Sequence, residues 1–260
     1  MYQTVKIERD DRGVATLWLA RADKHNAMSG EMIVELAAAA DKLAADDAVR
    51  VVVLAAEGKT FCAGGDLRWM QAQMTASADE RRAEARKLAG ALYALNTLPK
   101  PLIGRVQGNA FGGGIGMMSV CDVAIGVPDA KFGLTEVRLG LIPATISPYV
   151  LARMGEDKAR RVFMSARPFD GQEAVALNLL ARVVAESDLD AAIEAEVAPY
   201  LQAAPGAVAE SKRLTRMLGP AITPDIIEAT IDRLVAAWEG DEAPEGIAAF
   251  FEKRKPRWAV

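Results

Sequence analysis

Two glycine-rich segments of the sequence could supply backbone N–H groups to an anion. The first, residues 61–67, follows the apolar, β-branched run at 51–54, and the second, residues 108–116, contains three consecutive glycines. Both precede a helical pattern, and the first amides of a helix have no partner inside it, so each turn could receive a negatively charged oxygen. The three glycines could instead serve close helix packing. Neither segment has the spacing of a dinucleotide or phosphate loop.

Glu136 stands among apolar residues and is the main candidate for moving a proton. Its neighbours Leu134, Val137 and Leu139 could keep water from the carboxylate and raise its pKa, as proton transfer near neutral pH requires. The alternative interpretation is a salt bridge, for example with Arg138. The residues around Glu136 do not by themselves decide between the two.

The remaining reactive residue types give weaker candidates. His25 is the only histidine, and because no nucleophile stands beside it, a loop position is the better interpretation. Cys62 is predicted to be a small buried residue, since no histidine is placed to activate its thiol. No group of aspartate, glutamate and histidine has metal-ligand spacing, so we expect no metal.

The composition excludes several classes of function. Of 260 residues, 51% are hydrophobic and 25% are charged, which is typical of a globular protein with a sizeable core. A net charge of −4 leaves no basic excess, so we expect no nucleic-acid partner. Two cysteines are too few for a disulfide framework, which favours a cytoplasmic location. Because we find neither a leader pattern nor a long apolar run, we expect no membrane association.

Alternating strand and helix patterns must position these residues. A strand-like run at 14–19, a helix capped by Ser29 and a strand-like run at 50–55 form the first unit. A helix at about 79–98 and strands at 102–106 and 122–126 continue the alternation, which predicts a parallel sheet covered by helices. After about residue 144, amphipathic helical patterns dominate. The polar residues 71–84 are interpreted as a mobile segment or the start of a helix.

Five motifs, taken in order, resemble the crotonase (enoyl-CoA hydratase/isomerase) superfamily. They are residues 21–28, the two glycine-rich turns, the segment around Glu136 and residues 250–255. The resemblance implies an α/β fold, a crotonase-like spiral of ββα turns with a helical C-terminal trimerisation region. It places the spiral core, with CoA and the active site, in residues 1–200 and the C-terminal helical region in residues 201–260. It also implies a homotrimer or a dimer of trimers.

The resemblance assigns roles to individual residues. Gly65 and Gly113 match the positions that supply the family's two oxyanion amides, and Glu136 matches the second of its two catalytic glutamates. The residues expected to contact the substrate or its CoA moiety are Ala22, Lys24, Ala63, Gly64, Asp66, Leu67, Phe250 and Lys253. The implied partner is an acyl-CoA substrate. CoA is part of that substrate, and no separate cofactor is expected.

Gly116 departs from the family pattern, because two-glutamate hydratases carry their other glutamate at this position. Isomerases of the family also keep only the later glutamate. Residues 106–116 and 136–150 nevertheless resemble bacterial methylglutaconyl-CoA and isohexenylglutaconyl-CoA hydratases, which also lack the first glutamate. The leading prediction is therefore an enoyl-CoA hydratase acting on a branched or carboxylated substrate, whose own carboxylate could orient water in the room left by Gly116. The alternatives are an enoyl-CoA isomerase that uses Glu136 alone and a non-catalytic CoA-binding protein.

Overall fold

The computed structural model describes residues 2–260, whose strands form one larger and one smaller sheet. The strands of this part of the chain are β1 (Val5–Arg9), β2 (Val14–Leu19), β3 (Val51–Ala56), β4 (Thr60–Cys62), β5 (Leu102–Val106), β6 (Asn109–Phe111), β7 (Val123–Gly126), β8 (Phe132–Gly133) and β9 (Arg182–Val183). The larger sheet has the order β1-β2-β3-β5-β7-β9, and the smaller has the order β4-β6-β8. Strands β1 and β2 pair antiparallel, and the other pairings within these sheets are parallel.

The larger sheet begins with a hairpin and is buried at its centre. The hairpin turns at Gly13, whose φ is +84°. This is a left-handed conformation that glycine adopts without steric cost. All six residues of β3 are buried. This pattern is typical of a parallel strand that is covered on both faces, as the βα alternation predicts.

Helices cover the sheets and make up most of the C-terminal part. Their bounds are α1 (Gly30–Ala45), α2 (Leu67–Thr75), α3 (Ala78–Thr97), α4 (Gly113–Val120), α5 (Ser147–Met154), α6 (Glu156–Phe163), α7 (Gly171–Ala176), α8 (Leu189–Gln202), α9 (Pro205–Leu218), α10 (Pro224–Glu239) and α11 (Glu242–Phe251). The predicted cap of α1 is confirmed, because Ser29 Oγ accepts a hydrogen bond from the Met32 amide. Across residues 2–260, no helix combines the length and apolarity that a membrane span would need.

The smaller sheet explains how three distant segments meet. Strands β4, β6 and β8 directly follow β3, β5 and β7, and they lead into α2, α4 and a short 3-10 helix at Glu136–Leu139. The chain therefore winds in ββα turns, and the predicted α/β spiral is confirmed. Because the three short strands are parallel neighbours, their carboxyl ends lie at the same edge of the sheet. Gly65, Gly113 and Glu136 all follow that edge.

Some elements differ from those predicted. The polar residues 71–84 are helical at both ends, since they contain the end of α2 and the start of α3. A reciprocal capping box between Ser77 and Glu80 starts α3 there. Helices α5 and α11 were not predicted. The strands of the smaller sheet were not predicted either, because two- and three-residue strands have no measurable periodicity. The domain boundary at residue 200 remains a prediction; α8 ends at Gln202.

Candidate active site

The turn between β4 and α2 is shaped by the backbone of Met28. The Met28 amide donates to the Gly64 carbonyl at 2.8 Å, and the Met28 carbonyl accepts from the Asp66 amide at 3.0 Å. Gly64 has a φ of +93°, so the chain reverses here at a residue without a side chain. Among residues 2–260, no backbone or side-chain acceptor is bonded to the Gly65 amide, which stays available to a ligand.

Asp66 fixes this turn from the buried side. Its Oδ1 accepts from the amides of Arg68, at 2.9 Å, and Trp69, and its Oδ2 accepts from the Arg21 guanidinium at 3.0 Å. Burial acts to raise the pKa of Asp66, but these hydrogen bonds outweigh it and hold the pKa below its usual value. The carboxylate is therefore committed to capping α2 and pairing with Arg21.

The turn between β6 and α4 has no side-chain cap. Gly112 adopts a φ of +49°, its amide donates to the Gly133 carbonyl, and its carbonyl accepts from the amides of Ile115 and Gly116. The Gly113 amide is the first of α4 and has no partner among residues 2–260. A Cβ on Gly114 would lie 2.9 Å from Cys62 Cβ, so this glycine lets α4 pack directly against β4.

Glu136 begins the 3-10 helix and turns its carboxylate toward the second glycine turn. A Cβ on Gly112 would lie 3.0 Å from Glu136 Oε1. Oε2 is buried and has no hydrogen-bond partner among residues 2–260. Burial without a countercharge raises the pKa of Glu136 to about 7, against a smaller lowering by a hydrogen bond from its own backbone amide. The salt-bridge interpretation of Glu136 is therefore wrong, and the desolvation interpretation is confirmed.

These three segments border one cavity of about 360 Å³. This size suits a small-molecule ligand. The cavity is lined by Met28, Ile33, Ala63, Gly64, Gly65, Leu67, Trp69, Met70, Leu88, Phe111, Gly112, Gly113, Thr135, Glu136, Leu139, Leu141, Ile142, Pro143, Ala144, Thr145, Ile146, Leu234, Trp238 and Phe250. Glu136 is the only ionisable member of this set, which contains no lysine, arginine or histidine. The cavity is therefore an apolar chamber with one carboxyl group and two free amides in its wall.

Comparison with known proteins identifies the family. Residues 9–260 match the model of the family described as enoyl-CoA hydratase/isomerase. The chain belongs to this family. It is 32% identical to the mitochondrial methylglutaconyl-CoA hydratase of Mus musculus, over 97% of this chain and 81% of the relative. The chain is thus confirmed as an enzyme of the crotonase superfamily, as the sequence motifs predicted.

Solved structures support the same conclusion. An enoyl-CoA hydratase from Shewanella pealeana superposes with a TM-score of 0.82 at 37% identity, covering 99% of this chain and 97% of that one. An enoyl-CoA hydratase from Mycobacterium avium gives a TM-score of 0.86 at 32% identity, with both chains fully covered. The predicted crotonase fold is therefore confirmed by family, sequence and structure together.

The structure gathers about half of the predicted site residues around the cavity. Those that line it are Glu136, Gly65, Gly113, Ala63, Gly64, Leu67 and Phe250. Ala22, Lys24 and Lys253 are exposed and outside the lining, so their contacts with CoA stay predictions. Asp66 is 9% exposed and is used within the fold. His25 is exposed on its loop, as predicted, and burial raises the pKa of Cys62 to about 12, consistent with an inert thiol.

The surroundings of Gly116 differ from the expectation that its missing side chain leaves room. Gly116 is buried in α4 and does not line the cavity. A Cβ at this position would lie 2.5 Å from Ile146 Cγ2 and 3.0 Å from Ile146 Cβ. The space is therefore filled by Ile146, and the expected place for a substrate-oriented water beside Gly116 is wrong.

Other cavity residues had no signal in the sequence. Trp69 lies in the first turn of α2, and Trp238 and Leu234 come from α10 near the C-terminal end of the chain. Helix α10 thus contributes a wall that was not predicted, whereas Phe250 on α11 was predicted and lines the cavity. Gly112 was part of a recognised motif, but its approach to the carboxylate of Glu136 could be found only from the folded geometry.

Proposed function

We propose that the protein adds water across the α,β double bond of an enoyl-CoA whose acyl group is apolar and branched. The observation that carries this proposal is a buried carboxyl group, whose Oε2 has no partner, in one apolar cavity with two free backbone amides. Gly65 and Gly113 supply the amides, and Glu136 supplies the carboxyl group. Neither a metal nor a separate cofactor enters the proposed reaction.

The two amides act on the thioester oxygen. When water attacks C3, the electrons of the double bond move toward the carbonyl, and negative charge develops on the oxygen as an enolate forms. The amides of Gly65 and Gly113 donate hydrogen bonds to that oxygen. A donor aimed at developing charge in a site sheltered from water is worth on the order of 3–4 kcal/mol, so this pair contributes a large part of the rate acceleration.

Glu136 carries the proton in both directions. As the water oxygen bonds to C3, one of its protons passes to the Glu136 carboxylate. The same carboxylic acid then donates a proton to C2 of the enolate, which restores the thioester carbonyl and completes the addition of one water. A pKa of about 7 leaves a substantial fraction of both protonation states at neutral pH, as a group that alternates between base and acid requires.

The cavity lining favours an apolar acyl group over a carboxylated one. A distal carboxylate would lose its hydration there without gaining a lysine, arginine or histidine from the lining residues. Branched apolar groups find side chains such as Ile33, Leu88 and Trp238. The carboxylated substrate predicted from the sequence, of the type named for the murine relative, remains the alternative within this proposal.

An enoyl-CoA isomerase is the second candidate, and the packing at Gly116 favours it. Ile146 lies where a side chain at position 116 would begin, and Glu136 is the single carboxyl group among the cavity-lining residues. One carboxylate suffices to remove a proton from C2 of a 3-enoyl-CoA and to return a proton at C4. The non-catalytic CoA-binding alternative has less support, because a structural role would not explain the unpartnered carboxyl group.

Incubation with a panel of thioesters in heavy-oxygen water tests the proposal. The panel contains branched apolar 2-enoyl-CoA, crotonyl-CoA, carboxylated glutaconyl-type CoA and a 3-enoyl-CoA. Mass spectrometry should show heavy oxygen entering the branched apolar substrate fastest. Faster hydration of the carboxylated thioester would support the original substrate prediction, and double-bond migration without added mass would establish the isomerase. If no thioester is converted, the enzymatic proposal fails.

We further propose that the protein assembles as a homotrimer or a dimer of trimers in the cytoplasm. On α9, Leu214, Met217 and Leu218 are exposed by 51%, 71% and 75%, and their spacing places them on one face of the helix. Contiguous exposed apolar groups are typical of surfaces that are covered by another chain. Light scattering at micromolar concentration checks this proposal, and a stable monomer would contradict it.

A further inference from the structure

The contact between Gly116 and Ile146 lies beside the acyl cavity, because Ile146 is one of the lining residues. The exposed lining residues Leu67 and Phe250, at 49% and 50%, mark the mouth. Ile146 is 2% exposed, and the lining residues Met28 and Ile33 are similarly buried, at 3% and 2% exposed. The side chain of Ile146 therefore faces the cavity far from solvent.

Ile146 separates the cavity from Gly116 on α4. Its Cγ2 would lie 2.5 Å from a Cβ on Gly116, and Leu92 Cδ1 would lie 3.7 Å from the same point. Gly116 and Leu92 are both buried, and neither lines the cavity. The isoleucine side chain thus lies between the cavity and Gly116.

The backbone of Ile146 is held in place. Its carbonyl accepts from the amides of Tyr149 and Val150 at the start of α5, and the chain on either side is stiffened by Pro143 and Pro148. The side chain therefore cannot avoid a new group at position 116 by moving its main chain outward. It must rotate or shift toward the open side, which is the cavity.

We propose that Ile146, seated against Gly116, sets the length and bulk of the acyl group that the enzyme accepts. Gly116 is required for the depth of the cavity because any side chain there would push Ile146 inward. Ile146 limits that depth because its own side chain fills the space beside the glycine. A larger side chain at position 116 should therefore make the cavity shallower, and a smaller one at position 146 should make it deeper. This assignment rests on the proposed function, since it takes the cavity to hold an acyl group.

Binding of saturated acyl-CoA thioesters tests the assignment without any turnover. The series runs from butyryl-CoA through hexanoyl-CoA and octanoyl-CoA to decanoyl-CoA. Because Trp69 and Trp238 line the cavity, quenching of tryptophan fluorescence reports its occupation. Each methylene buried in apolar surroundings strengthens binding by about fourfold, so affinity should rise along the series until the acyl chain meets the end of the cavity.

A smaller side chain at position 146 and a larger one at position 116 should move the chain-length limit in opposite directions. Ile146→Ala should raise the affinity for octanoyl-CoA relative to butyryl-CoA by about fifteenfold, which corresponds to burial of roughly two further methylene groups. Ile146→Val, which is less disruptive to folding, should give a smaller shift in the same direction. Gly116→Ala should shift the limit toward shorter chains. In Gly116→Ala/Ile146→Ala the new methyl occupies part of the vacated space, and the profile should lie between the two single variants.

Ile193→Ala is the matched control, because it truncates a buried isoleucine on α8 outside the cavity lining. It should lower stability without changing the chain-length profile. An unchanged profile in Ile146→Ala and Ile146→Val, alongside normal binding by the wild type, would overturn the assignment. So would a Gly116→Ala profile that moves toward longer chains. If the wild type binds none of the thioesters, the proposed function itself fails.

Discussion

The two halves of the site are built on different physical principles. At the glycine turns, the functional groups are backbone amides, which are placed by hydrogen bonds such as those from Met28 to Gly64 and from Gly112 to Gly133. At Glu136 the functional group is a side chain that lacks a partner at Oε2. The position of the amides depends on hydrogen bonds around them, whereas the raised pKa of the carboxyl group depends on the absence of such partners.

The supports of the two halves also come from different parts of the chain. The glycine turns are held by residues near them in the spiral, whereas the 3-10 helix of Glu136 is packed against the C-terminal helix α11. A Cβ on Gly140 would lie 2.3 Å from the Glu242 carbonyl carbon, and one on Gly246 would lie 2.5 Å from that of Leu139. Backbone therefore meets backbone here, and α11 closes the apolar environment of Glu136. The desolvation of Glu136 therefore requires that the C-terminal helix α11 has packed against the 3-10 helix.

The largest expected effect comes from removing the ionisable carboxyl group of Glu136. Glu136→Gln keeps the shape of the side chain but cannot take a proton from water, so kcat/KM should fall by about 100- to 10,000-fold. Affinity for a saturated acyl-CoA should stay unchanged, because the cavity and both amides remain. Steady-state kinetics and fluorescence titration check the two expectations.

An exposed carboxylate provides the control for that experiment. Glu186→Gln alters an exposed residue before α8 and should leave turnover unchanged. In the wild type, kcat/KM should rise with pH through about 7, because the ionised form of Glu136 accepts the proton from water. Retention of most activity in Glu136→Gln, or a flat profile between about pH 5 and 9, would remove Glu136 from the mechanism.

The backbone half can be tested by deleting a donor with proline. Gly65→Pro removes the amide hydrogen and should lower kcat by about 100- to 1,000-fold. Gly65→Ala is the matched variant: it keeps the donor, and its Cβ would meet Met70 at an ordinary contact distance of 3.6 Å. Position 113 is less suited, because even alanine would press on Met28 Cε. Equal activity of folded Gly65→Pro and Gly65→Ala would exclude the Gly65 amide from catalysis.

The sequence contains more information about the motif residues than about the cavity walls. Gly65, Gly113 and Glu136 each stand in a short contiguous motif, so the resemblance to the family could single them out, and all three line the cavity. The walls of the cavity come from segments far apart in sequence, such as Trp69 and Trp238, and periodicity does not report which helix faces will meet.

Gly116 and Asp66 show two kinds of information that the sequence could not give. At Gly116 the sequence revealed that a side chain was missing, but not that Ile146 fills the space. At Asp66 it revealed a carboxylate in a functional motif, but not that Arg21 and two amides already occupy it. In both cases a family motif records residue types and not the contacts that satisfy them.

The desolvation of Glu136 should also be visible in the stability of the protein. The folded protein keeps the Glu136 proton up to about pH 7, whereas the unfolded chain releases it near the usual value of 4.5. Between these values the folded state binds more protons, so the free energy of unfolding falls as pH rises, by on the order of 3 kcal/mol in total. Urea unfolding at several pH values should show this component in the wild type and not in Glu136→Gln. Parallel curves for the two proteins would contradict the raised pKa.

The smallest effect separates the two interpretations of Asp66. Asp66→Ala removes the cap of α2 and leaves Arg21 without its partner, so the free energy of unfolding should fall by about 0.5–2 kcal/mol. Asp66→Asn keeps a side-chain oxygen for the helix amides and loses only the charge, so it should cost less. Because the pKa of Asp66 is lowered in the fold, the stabilisation by its carboxylate is present at neutral pH and is lost as the pH falls through that pKa. The difference in the free energy of unfolding between wild type and Asp66→Asn should therefore shrink in acid.

Urea unfolding measures the stability of the Asp66 variants, and fluorescence titration measures acyl-CoA affinity in the same samples. If Asp66→Ala kept its stability but lost acyl-CoA affinity, Asp66 would contact CoA as the motif predicts, and the turn at Gly65 would be held by Met28 alone.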